Sequence, residues 1–343
     1  MRTSLQKIGA MLALLLFAAS TFFGQSSRKP VVTTPHFAFY SDFDTNLNDA
    51  LIATGVARRF SKPQLFHAGD EVACFDKLPQ SVRSAWNRAV DYYTEIISPK
   101  EWDSDEQYLL RVQLAGFNDE IKTAEDRQFV EIAQGFRMAA APAYKACKWA
   151  AQDEKNHKWI AEIKLQLAEN EQKVAARLEQ LYQSQWSNLP IPVDIVETVN
   201  WSGANSILHG SGNGHLLIST ANESPYMLEV VFHESSHILM GRNAPVRMAL
   251  NEAASAANFK MPGDLWHVVL FYTTGEAVRR ILEEEGKPAY KPMLYGIFDR
   301  GAWPGYRSAL ESAWKPYVDG KQSLKEASAG LIAALQKQTP STK

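Results

Sequence analysis

Apolar positions recur at steps of three, four or seven residues between Glu154 and Gln185, at Ile160, Ile163, Leu167, Val174, Leu178 and Leu181. That spacing draws one apolar stripe along a long, otherwise charged helix, and it predicts core packing as half of a helical hairpin with the segment before it. Shorter helical patterns precede it at 81–97, 105–116 and 124–150, the last bent near Gly135 and Pro142. Strand signals are fewer. The aromatic run 36–41 reads as one strand; beyond the Leu189-Pro190-Ile191-Pro192 break, 195–199 and 215–220 read as two more around a glycine-rich turn at 210–214. From 226 onward the pattern is helical again, over 226–240, 245–259, 264–284 and 324–336. The prediction is an α+β chain, predominantly α-helical, with a small antiparallel sheet beside the 226–240 helix. A strand and mainly helical region should occupy 26–188 and a second region 189–343, and the 36–41 strand can join the latter's sheet to make one integrated domain.

The first residues change this picture. Arg2 and Lys7 precede an uncharged apolar stretch over 8–23, with small residues Ala18, Ala19 and Ser20 near its end, so 1–25 reads as an export signal. The stretch is shorter than the roughly 20 residues that a membrane span needs, so no stable anchor is expected after cleavage. About 318 residues of a periplasmic or secreted chain would remain, and loss of Arg2 and Lys7 takes the net charge from -2 to -4. A mildly acidic chain without a basic run gives no electrostatic basis for a nucleic-acid partner. In an oxidising compartment the two cysteines, Cys74 and Cys147, can form a disulfide or remain as buried thiols. Composition leaves the oligomeric state open.

Candidate chemistry is concentrated in the apolar 226–240 segment, which contains His233-Glu234-Ser235-Ser236-His237. Histidines at i and i+4 project from one helix face one turn apart, a spacing suited to two imidazoles on one Zn2+, with Glu234 placed to take a proton from a water at the metal. Unpaired, these groups would be costly to bury in such a helix, and a metal would remove that cost.

This HExxH element behind a strand resembles the zincin metallopeptidases, and the longer pattern, with LWH at 265–267 and Gly275-Glu276, is similar to a group of uncharacterised secreted bacterial zincin-like proteins. The resemblance covers roughly 230–282. It implies an exported zinc metallopeptidase acting on a peptide or protein substrate, with Glu234 as general base. Met240 and Asn243 stand where a metzincin would have Gly and His, so the gluzincin arrangement, with a Glu from a later helix as third ligand, is the one implied. Glu276 is the first candidate and Glu252, in Asn251-Glu252-Ala253-Ala254-Ser255, the alternative. His267 lies nine residues before Glu276, half a turn out of phase, so a regular helix cannot aim both at one metal; His267 is expected beyond the ligands, as a supporting group. Tyr272, one turn before Glu276, is a candidate oxyanion donor. A non-catalytic zincin-like scaffold, and a zinc hydrolase of cell-wall amides or other non-peptide substrates, are the alternatives that the same residues allow.

Overall fold

The computed structural model describes residues 28–338 apart from 63–64, 67–68, 101–103, 188, 200–202 and 211. The export signal expected over 1–25 lies outside the described residues.

The chain is α+β and predominantly helical, with one five-stranded sheet. Strands β1 (Val32–Thr33) and β2 (Phe37–Tyr40) lead into helices α1 (Phe43–Arg59), α2 (Gly69–Asp76), α3 (Gln80–Tyr92), α4 (Asp105–Ala115), α5 (Ala124–Tyr144) and α6 (Ala150–Tyr182). Strands β3 (Ile191–Val196), β4 (Ala204–His209) and β5 (Asn213–Ser219) follow. Helices α7 (Met227–Leu239), α8 (Pro245–Ala256), α9 (Leu265–Glu284), α10 (Met293–Asp299), α11 (Tyr306–Ala309), α12 (Lys315–Val318) and α13 (Leu324–Gln338) complete the chain. Local chemistry fixes several boundaries. The Asp42 carboxylate accepts from the Thr45 N–H to start α1, and Thr123 and Asp126 form a reciprocal capping box at α5.

The sheet order is β1-β2-β3-β5-β4, and the sheet is mixed where the sequence pattern suggested an antiparallel one. β2 runs parallel to β3, with Phe37 opposite Ile191, and β3 runs parallel to β5, with Val193 opposite Leu216; the two edge pairs, β1 with β2 and β4 with β5, are antiparallel. The connections explain this. Six helices separate β2 from β3, long enough for a crossover, whereas β4 and β5 are joined by a tight turn that permits only antiparallel pairing.

Alternation along the strands sorts the two faces. Phe37, Phe39, Val193, Ile195, Leu216 and Ile218 pack with the α6 stripe and with α7 and α9, whereas Val196, Ile207 and Leu217 face Leu109 and Val112 of α4. All six stripe residues of α6 are buried, and at about 1.5–3 kcal/mol for each large aliphatic side chain this burial is what docks the helix. The same core joins Phe37 and Phe39 to α7 and α9, so apolar packing runs across residue 188. One expected turn is absent. No hairpin separates α5 from α6; the helix passes instead through a π turn at Lys145–Trp149, shortly after Pro142, whose missing N–H and ring crowd the regular ladder. Cys74 and Cys147 are bonded, with Cα atoms 5.6 Å apart, and this joins α2 to that π turn. Among the described residues no helix is long and apolar enough to cross a membrane.

Candidate metal centre

Helix α7 turns an apolar face, Met227, Leu228, Val230, Val231, Phe232 and Leu239, into the core shared with the sheet, α6 and α9, and gathers most of its polar side chains on the other side. His233, buried, and His237, half-buried, therefore lie one turn apart on that polar side, ring centroids 5.3 Å apart. Helix α9 crosses beside them and supplies a third imidazole. The His267 centroid lies 5.4 Å from that of His233 and 5.2 Å from that of His237, and the Nε2 atoms of His267 and His233 are 3.4 Å apart. One ring nitrogen from each of the three lies within 4.8 Å of the others, so the trio forms a group that can hold a metal ion.

Burial sets the charge of this group. Removal from water holds His233 well below the ordinary imidazole pKa and lowers His237 to about 3 and His267 to about 4, with the neighbouring imidazoles adding to the depression at His233 and His237. All three rings are thus neutral at pH 7 and offer lone pairs. Aromatic side chains wall the group. Phe271 packs on His233 with centroids 3.7 Å apart, Trp266 meets His237 edge-on, Trp303 meets His267 edge-on, and the Arg247 guanidinium lies over Trp266. The His233 Nδ1 is buried without a hydrogen-bond partner, so the orientation of this ring rests on packing, mainly on Phe271.

Glu234 follows His233 on α7 and is buried. Its Oε2 is 2.5 Å from the hydroxyl oxygen of Ser206 on β4, and its main-chain oxygen is 2.7 Å from the same hydroxyl. Burial pushes the carboxyl up to about 7, against the opposing effect of the Ser206 hydrogen bond. Ser236, within the motif, faces α9 and takes a 3.2 Å hydrogen bond from Thr274, which also contacts the Tyr182 hydroxyl at 2.8 Å; this polar seam fixes α7 against α9 and α6.

Both carboxylates expected as third ligand lie elsewhere. Glu276 is buried, but its oxygens accept from the Arg279 guanidinium at 3.0–3.2 Å and from the Tyr295 hydroxyl at 3.3 Å. His267, expected beyond the ligands, instead points at the pair and joins them as the third member of a group that could hold a metal ion, whereas Glu276 does not. Glu252 is exposed, because α8 buries Val246, Leu250 and Ala254 and so rotates Glu252 outward. Tyr272 is buried beside Tyr295, with ring centroids 6.5 Å apart, and near Glu276. The remaining described histidines are occupied otherwise: His36 contacts Glu171, His157 contacts Asp153, His209 contacts Asp119, and His215 is 2.5 Å from Asp194 within the sheet.

Ser206 was not singled out by its sequence. The segment Ala204–His209 alternates weakly, and only its pairing with β5, Ser206 opposite Leu216, turns the serine toward α7 while Ile207 enters the opposite core. No protein family, curated protein or solved structure matches the chain.

Proposed function

We propose that this chain is a zinc-dependent hydrolase acting on peptide bonds, a zincin-like enzyme with three histidines as protein ligands. The observation that carries this reading is the meeting of His233, His237 and His267 beside the carboxylate of Glu234 in sequence. A tetrahedral zinc site with Zn–N bonds of about 2.0–2.1 Å separates its nitrogens by about 3.4 Å, and the His233 and His267 Nε2 atoms are 3.4 Å apart. Three neutral nitrogen donors, with no thiolate and no carboxylate among them, suit zinc and leave a fourth position for water.

Zinc, when bound there, lowers the pKa of a water toward 7 and polarises a substrate carbonyl. His233, His237 and His267 would hold the ion, and Glu234, next to His233 on α7, would take up a proton from the attacking water and return it to the departing amine. Burial pushes the Glu234 carboxyl up to about 7 in the metal-free chain, which favours taking up a proton. The aromatic wall of Trp266, Phe271 and Trp303 restricts bulk water around the imidazoles. Export to an oxidising compartment is supported by the Cys74–Cys147 bond and by the leader-like 1–25 segment.

The test is hydrolysis of an unstructured protein by the zinc-loaded chain. The expected result is turnover that a chelator abolishes and zinc restores, with Glu234→Gln retaining its zinc but losing at least about a hundredfold in rate. Full activity in that variant would overturn the mechanism, and bound zinc without turnover of any protein or peptide would leave a non-catalytic metal site.

A further inference from the structure

We propose that Ser206 is the positioning residue of Glu234, an inference that rests on the hydrolase reading above. Its hydroxyl oxygen lies 2.5 Å from Oε2 and 2.7 Å from the main-chain oxygen of the same glutamate. Among the described residues no other side chain hydrogen-bonds to this carboxylate. A glutamate has three rotatable side-chain bonds, and a base that must meet an attacking water in one orientation gains rate from having them fixed beforehand. The fixing group comes from β4, the edge strand of the sheet, so the position of the base is referred to a different element from the one that carries His233 and His237.

Hydroxyl chemistry suits this contact to a base that gains and loses a proton. A serine hydroxyl has one proton to donate and two lone pairs to accept with. While Glu234 is a carboxylate, the Ser206 proton points to Oε2. If the proton taken from water comes to rest on Oε2, that O–H donates to Ser206 Oγ, and the hydroxyl turns its own proton to the Glu234 main-chain oxygen 2.7 Å away. If the proton rests on Oε1, Oε2 still accepts from Ser206. The contact survives every state without Ser206 gaining or losing a proton, because the backbone carbonyl is available as a second acceptor. An ionised aspartate there could not donate to the carboxylate, and a lysine could not accept from a protonated Oε2; the hydroxyl meets every case.

Zinc-loaded Ser206→Ala and Ser206→Thr variants test this against wild type, with zinc content, kcat and KM measured for one peptide substrate and thermal unfolding as a check on the fold. For Ser206→Ala the expected result is a tenfold to hundredfold fall in kcat, with KM and one zinc per chain unchanged; Ser206→Thr, which restores the hydroxyl, should recover most of the rate. Wild-type kcat in Ser206→Ala overturns the proposal, as does a fall in kcat matched by loss of zinc or by a threonine variant no better than alanine, since the contact would then only tie β4 to α7. Absence of any hydrolysis by the wild-type protein is a different outcome: it removes the hydrolase reading and this inference with it.

Discussion

At the scale of single residues, burial does two opposite things to neighbouring groups on α7 and α9. It strips the imidazoles of their charged form, with His237 at about 3 and His267 at about 4, and it raises the carboxyl of Glu234 to about 7. The sign of the first effect gives a prediction. Protons compete with metal only below the pKa of each ligand, so three ordinary imidazoles at about 6.5 would lose about four orders of magnitude in zinc affinity between pH 7 and pH 5. With these ligands already neutral down to about pH 4, proton competition at the imidazoles should cost less than tenfold over that interval and become steep only below it. Titration against a competing chelator, with circular dichroism to confirm the fold, measures this; a thousandfold loss by pH 5 would contradict the burial argument. The motif residues were legible in the sequence because i, i+4 spacing on one helix fixes its own geometry. His267 was not, because its nitrogen meets theirs through the crossing of two helices, and neither helix's periodicity encodes that crossing. The carboxylates misled for a related reason: Glu276 is buried as a ligand would be, but Arg279, three residues on, neutralises it.

At the scale of elements, the close approach of α9 to α7 depends on Gly275. A Cβ there would lie 2.8 Å from Glu229 Oε1 on α7 and 2.7 Å from Pro292 Cβ. Glu229 is itself buried, its carboxyl pushed up to about 7, and it accepts from the Tyr290 hydroxyl and the Met293 N–H, so it pins the segment leading into α10. Gly275→Ala should therefore destabilise the protein by about 1 kcal/mol net, since overpacking of 1–3 kcal/mol outweighs the gain of just under 1 kcal/mol that alanine brings to a helix interior. Urea unfolding measures the difference, and a more stable alanine variant would show that the two helices can separate without cost. Most helices were legible from their apolar spacing. The π turn at Lys145–Trp149 and the strand β4 were not: the first continues the helix with a shift of phase where Pro142 suggests a break, and the second has too little alternation to stand out before it is paired.

For the whole molecule, the sequence pattern suggested a helical part ahead of a site-bearing part, and the core joins them. β2 supplies a central neighbour to β3, and α6 packs on both α7 and α9. A fragment starting at 189 would lose those partners and should fail to give a cooperative unfolding transition; a folded, zinc-binding fragment would contradict the shared core. The disulfide acts elsewhere. It encloses 73 residues of separation and Cys147 packs on the N-terminal helical cluster, so the Cys74→Ser/Cys147→Ser protein should lose up to about 4 kcal/mol of stability with its zinc affinity unchanged.

The proposed chemistry depends on which side chain completes the metal site, and metal content after dialysis measures that most directly. Wild type and Glu276→Gln should each retain one zinc per chain, while His267→Ala, still folded, should retain little or none. Zinc held by His267→Ala and lost from Glu276→Gln would contradict the three-histidine centre.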